Sequence, residues 1–210
     1  MSIDPLSRKA HQISGVFHVL LFLLAPASLL AQSDASRFEL GGQFAVTQST
    51  EFDAADLGAG VRFSWMPVGL LGIESEINFY PKDFPSTVQF SRHRVEGLFG
   101  ATVGPTFGSL RPFARARAGF LNIAGTSQPF ACVLIFPPPL SCQLTAGRTL
   151  PVFDFGGGFE LLMARTFARF DIGDRLVRYP GPALGRRGVV HADSFFSHDL
   201  RIAAGAGVRF

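Results

Sequence analysis

Ser197, His198 and Asp199 are the residue types of a hydrolase triad, with His191 and Asp193 just upstream. A hydroxyl nucleophile, an imidazole base and an orienting carboxylate cleave esters only when they share hydrogen bonds. Consecutive residues of a strand point to opposite faces. On a strand, His198 would therefore be split from Ser197 and Asp199 by the wall itself, and would serve as an interfacial anchor. Cys132 and Cys142, the only two cysteines, suit a disulfide closing a short loop in an oxidising compartment. No further ligands accompany them, so no metal site is expected. The enclosed Val133-Leu134-Ile135-Phe136 run and the prolines after it are strongly apolar for a loop. Such a tip either packs on neighbouring loops or lipid, or presents Leu134, Ile135 and Phe136 as a contact patch for an extracellular partner. No phosphate loop, zinc spacing or GxSxG motif occurs, and no cofactor is expected; Gly156-Gly157-Gly158 falls inside a strand-like run.

The most numerous chemical groups form a different pattern. Glu39, Glu74, Glu76, Glu96, Asp154, Glu160, Asp171 and Asp199 alternate along the chain with apolar residues, as do Arg62, Arg94, Arg115, Arg117, Arg169, Arg175, Arg201 and Arg209. Equal numbers of acids and arginines suit mutual pairing in a poorly hydrated space, where charge must be neutralised locally and Arg can bind a carboxylate through two hydrogen bonds.

The elements that must position these groups are read from the whole chain. It has 210 residues, 17% charged, with Gly and Phe each used 23 times. That is enough for one domain with a core, and the charge content is low for a soluble one. The formal net charge of +3 is dispersed and has no Lys/Arg run, which argues against nucleic acid. Arg8, Lys9 and His11, then the apolar Ile13 to Leu24 and the small residues Ala25 to Ala31, have the three parts of a secretory signal. Cleavage is expected after Ala31, leaving residues 32–210 as the mature domain. No later segment is apolar for long enough to be a transmembrane helix.

The mature chain has eight runs of period-two patterning, the signature of strands: Phe38 to Gln48, Leu57 to Trp65, Leu71 to Phe79, His93 to Phe107, Phe113 to Ile123, Val152 to Leu162, Phe167 to Val177 and Ser197 to Phe210. Short connections alternate with long ones. One face is apolar (Phe44, Val61, Ile77, Phe99, Phe155, Ile172); the other carries the charges, with glycines between them. An eight-stranded barrel has an interior only just wide enough for side chains, so the many aromatic rings must point outward. Short turns and long loops at opposite ends, with an apolar exterior, predict an all-β, eight-stranded, antiparallel up-and-down transmembrane barrel. Closing its hairpins predicts Arg62 opposite Glu74 and Glu160 opposite Arg169. Placing Arg115 and Arg117 inward appeals to a bulge near Leu110 to Phe113.

The last strand alternates Leu200, Ile202, Ala204, Ala206, Val208 and Phe210 and stops on an aromatic residue. With the eight-run plan, this resembles the small outer-membrane barrels of the OmpA and OmpX type. The resemblance implies a bacterial outer-membrane location and an environment of lipid and lipopolysaccharide. It also implies that Val208 and Phe210 belong to a signal read by the barrel-insertion machinery. Phe stands where Trp and Tyr usually form the aromatic belts. The expected role is a non-enzymatic, monomeric barrel with loops for structural or interaction roles. The alternatives are a barrel enzyme acting on lipid A or phospholipid, and a narrow channel.

Overall fold

The computed structural model describes residues 37–52, 54–81, 93–125 and 135–210. The expected signal segment and cleavage site lie outside the described residues, as do Cys132 and Leu134. All eight expected strands are present. They are β1 (Phe38–Ser49), β2 (Ala54–Val68), β3 (Leu71–Tyr80), β4 (Arg94–Val103), β5 (Leu110–Ile123), β6 (Arg148–Met163), β7 (Thr166–Tyr179) and β10 (Phe195–Arg209). Each pairs antiparallel with its neighbours, and β1 closes on β10 to complete the barrel. The short β8 (Ala183–Leu184) and β9 (Val190–His191) form a separate hairpin in the last long loop. A one-turn helix, α1 (Leu140–Leu144), lies in the loop before β6.

Alternation sorts the side chains. Along β1 exposed and buried residues alternate without exception. Phe44 is 67% exposed and Phe99 63% on the outside, while Arg201 and Asp199 are 0% exposed within. A sheet that turns its rings outward and its ions inward is inverted relative to a soluble barrel. Both tyrosines, Tyr80 and Tyr179, are buried inside, so the outer wall draws its aromatic surface from Phe and Trp65.

Two details of register correct the sequence reading. Arg62 stands opposite Glu76, not Glu74, and Glu74 faces Ser64. The register shifts between Trp65 and Val68, because β2 runs on through Pro67 and turns at Gly69-Leu70 instead of at the proline. Pro67 lacks a ladder donor, and a bulge is where a strand tolerates one. In contrast, Glu160 does stand opposite Arg169. On β5 no bulge exists: the pairing with β6 is continuous from Leu110 to Ile123. The strand starts three residues earlier than the pattern suggested, and Phe113 simply points inward with Arg111, Arg115 and Arg117.

The β6–β7 turn is two residues long, Ala164-Arg165, and Ala164 has φ +42°. A positive φ at the first turn position is glycine's place in a tight hairpin. Ala164→Gly is expected to stabilise the barrel by about 0.5–1 kcal/mol, read as a higher midpoint in urea unfolding.

Candidate functional site: the ion-paired lumen

The inward faces of the strands bring the expected charges together in the middle of the barrel. Arg117, on β5, reaches across to three carboxylates: Nε to Asp154 Oδ2 at 2.8 Å, and Nη1 to Glu74 Oε1 at 3.1 Å and Glu76 Oε2 at 2.5 Å. Arg169 does the same from β7, donating to Glu74 (2.9 Å), Glu160 (3.0 Å) and Asp171 (3.0 Å). Arg175 spans Glu96 at 2.7 Å and Asp199 at 2.9 Å. Arg115 holds Asp154 at 2.8 Å and also pairs with Asp171. Arg201 pairs with Glu76, and Arg209 with Glu39 at 2.9 Å. Arg62 donates to Gln43 Oε1 at 3.2 Å and lies 3.9 Å from Asp171. Arg94 pairs with Asp56.

Two members were not visible in the sequence, Asp56 and Arg111; Arg111 donates to Glu160 at 3.0 Å. Both belong to strand residues beyond the expected boundaries, where β2 and β5 begin earlier. One is an acid and one an arginine, so the balance between the two signs is kept. Uncharged residues complete the network: Asn78 donates to Glu76 and Glu96, and Tyr80 to Glu96.

Apolar side chains close both ends of this belt. At the short-turn end Phe113 and Phe167 point inward. The Arg169 guanidinium carbon lies 3.9 Å from the Phe113 ring centre, and that of Arg62 lies 5.6 Å from Phe167. A Cβ at Gly207 would come within 2.7 Å of the Phe167 ring, so glycine makes the room this ring occupies. At the long-loop end Leu121, Ile123, Leu150, Val152, Val177 and Tyr179 form one buried cluster with Leu140 and Leu144 of α1. This cluster is left unassigned by the sequence, where the inner face is read from the charged residues and the glycines between them. A channel lined by charge keeps that charge wetted, whereas here the ions are sealed in by the chain itself. Planar-bilayer recordings are expected to show no steady conductance; stable open currents from the purified barrel would contradict the sealed lumen.

The triad residues are separated as strand geometry requires. Ser197 and Asp199 are buried inside and hydrogen bond to each other at 3.0 Å. His198 is outside, with Nδ1 2.7 Å from Asp174 Oδ2. The loops form a connected cap. Leu184 N donates to Pro138 O at 2.9 Å, Gln143 Nε2 to Pro182 O at 2.6 Å, and Arg186 Nη1 to Thr50 O at 2.9 Å. Of the expected contact patch, Ile135 is exposed and Phe136 is 87% exposed. Cys142 lies in α1, and its expected bridge runs to a residue outside those described.

No protein-family model matches the chain, and no curated protein matches it. Solved structures do. The crystal structure of Neisserial surface protein A superposes with a TM-score of 0.56 at 11% identity, covering 85% of this chain and 100% of that one. The outer membrane protein OprG from Pseudomonas aeruginosa gives 0.51 at 11% identity, covering 84% of this chain and 96% of that one. The N-terminal β-barrel domain of Pseudomonas aeruginosa OprF gives 0.50 at 11% identity, covering 84% and 100%. The chain has the fold of the small eight-stranded outer-membrane barrels. That fold explains the inverted wall and the crowded lumen together, since eight strands leave no space for a wide bore. A fold hosts many activities, so the outer-membrane barrel fold does not by itself assign a role.

Proposed function

We propose that this protein is an integral outer-membrane barrel whose role is structural or interactive, not catalytic. One observation carries the reading: large apolar side chains such as Phe44 and Phe99 stand exposed on the outer wall while the ions are buried. Only a hydrocarbon surrounding makes that arrangement favourable. On this reading the chain is exported by a signal cleaved after Ala31. Val208 and Phe210 present the final strand to the insertion machinery. The barrel sits as a monomer among lipid and lipopolysaccharide, with the capped loops turned outward. Phe136, and Leu134 and Ile135 beside it, would meet an extracellular partner, and a Cys132–Cys142 bridge would stiffen that tip.

The separation of Ser197 and Asp199 from His198 by the wall supports the non-enzymatic side of the reading. Outer-membrane fractionation followed by heat-modifiable gel mobility tests the location and the barrel together. A mature chain that stays monomeric in buffer without detergent would overturn it. Mass spectrometry of lipid A and phospholipids, with and without the protein, tests for lipid-modifying activity.

A further inference from the structure

Among the described residues of the barrel strands, only three ionisable side chains stand on the outward-facing positions. They are Asp174 and Arg178 of β7 and His198 of β10. They are neighbours. His198 pairs in register with Leu176, so Asp174 and Arg178, each two residues from Leu176, flank it diagonally on the same face. Diagonal neighbours on one face lie within reach of long side chains. His198 Nδ1 is 2.7 Å from Asp174 Oδ2. An ionised carboxylate only accepts, so the ring nitrogen donates, and Nε2 is the nitrogen left to meet a ligand. Arg178 is exposed, and its Nη2 donates to Ser194 Oγ at 2.9 Å.

The height of the three on the wall matters as much as their grouping. Strands rise about 3.3 Å per residue and tilt by about 40° in such barrels, so each residue gains about 2.5 Å of height. Counted from Thr166 at the short-turn end, Asp174 lies about 20 Å up, His198 about 25 Å and Arg178 about 30 Å. The apolar band of an outer-membrane barrel is about 25 Å tall. The three groups therefore climb through the outer rim, where acyl chains give way to headgroups. Phe153 and Phe196 stand beside them with ring centres 6.2 Å apart, as aromatic residues do at that boundary.

We propose that His198 and Arg178 bind the phosphate of an outer-leaflet lipid, with Asp174 orienting the imidazole. An ionisable group exposed on a membrane wall is costly, and all three are gathered where lipid phosphates lie. The Arg178 fork supplies donors that a phosphate oxygen accepts, and Arg suits this geometry better than any other cation; the His198 ring adds an Nε2–H donor in its protonated form. The site rests on the outer-membrane reading above, since it needs a bilayer beside the wall.

Native mass spectrometry of the purified, detergent-solubilised barrel tests it. The probes are lipid A, dephosphorylated lipid A, phosphatidylglycerol and inorganic phosphate. The expected result is retention of lipid A or phosphatidylglycerol at least about tenfold stronger than of dephosphorylated lipid A. Whichever of the two phosphorylated lipids binds more tightly identifies the headgroup. His198→Gln with Arg178→Gln should abolish the preference, while Arg148→Gln, exposed at the loop end of β6, should keep it. Equal retention of phosphorylated and dephosphorylated lipid A by a folded, heat-modifiable barrel overturns the site and leaves the outer-membrane reading standing. Inorganic phosphate binding as tightly as lipid would assign the site to a free anion and overturn the lipid. A chain soluble without detergent overturns both readings.

Discussion

Arg117→Met is expected to cost the folded barrel about 3–5 kcal/mol, seen as a lower urea midpoint of the heat-modifiable form in lipid vesicles. The substitution keeps an unbranched apolar stem but removes the cation that Asp154, Glu74 and Glu76 share. All three residues are buried to within 2% of complete burial. A buried ion pair adds little net stability over a well-packed apolar pair, because desolvation offsets attraction. Removing one partner is far worse, since Arg115, Arg169 and Arg201 still reach Asp154, Glu74 and Glu76 but the buried cluster is left one cation short with no water to offset it. The double variant Arg117→Met with Asp154→Asn should therefore be less destabilised than the sum of its parts. Additive losses would mean that the lumen is wetter than the buried network implies.

Phe99→Arg gives the second large effect and decides which solvent the wall faces. Phe99 is 63% exposed on the outer side of β4, about 10 Å above Val103 at the turn end. An arginine near the bilayer midplane costs about 2–4 kcal/mol. In water, the same exchange at so exposed a site would change stability by about 0.5 kcal/mol or less. Folding yield into vesicles, compared with that of Phe99→Leu, reads the difference. A Phe99→Arg barrel that inserts as well as the leucine variant would show that this wall does not meet hydrocarbon.

The architecture was legible because two alternations coincide: side chains alternate with period two, and charge alternates with hydrophobicity on the same period. Fourteen of the sixteen expected charges could be placed on one face from spacing alone, while Arg115 and Arg117 called for a bulge that β5 does not contain; most of the sixteen form the pairs that equal numbers of acids and arginines suggested. Register was less legible. Arg62 meets Glu76 because Pro67 was absorbed into a bulge, and a residue count cannot tell a turn from a bulge that precedes it. Phe113 and the Leu121, Ile123 and Val152 cluster were hidden for another reason. With the inner face read from its charged residues and glycines, the apolar residues that fill the two ends of the lumen go unassigned. Asp174 meets His198 only through the β7–β10 register, which no property of either residue announces.

The seam between β1 and β10 has a consequence for biogenesis. Its eleven facing pairs run from Glu39–Arg209 to Ser49–Asp199, and the Arg209–Glu39 contact joins residues 170 positions apart. Until the final strand is synthesised and delivered, β1 has no partner on one side. Every intermediate then exposes an unpaired edge together with the hydrocarbon-seeking wall, the combination most prone to aggregate. The cylinder can therefore shut only once both ends of the chain have come to the same place, and the strands between them must wait with their outer wall uncovered.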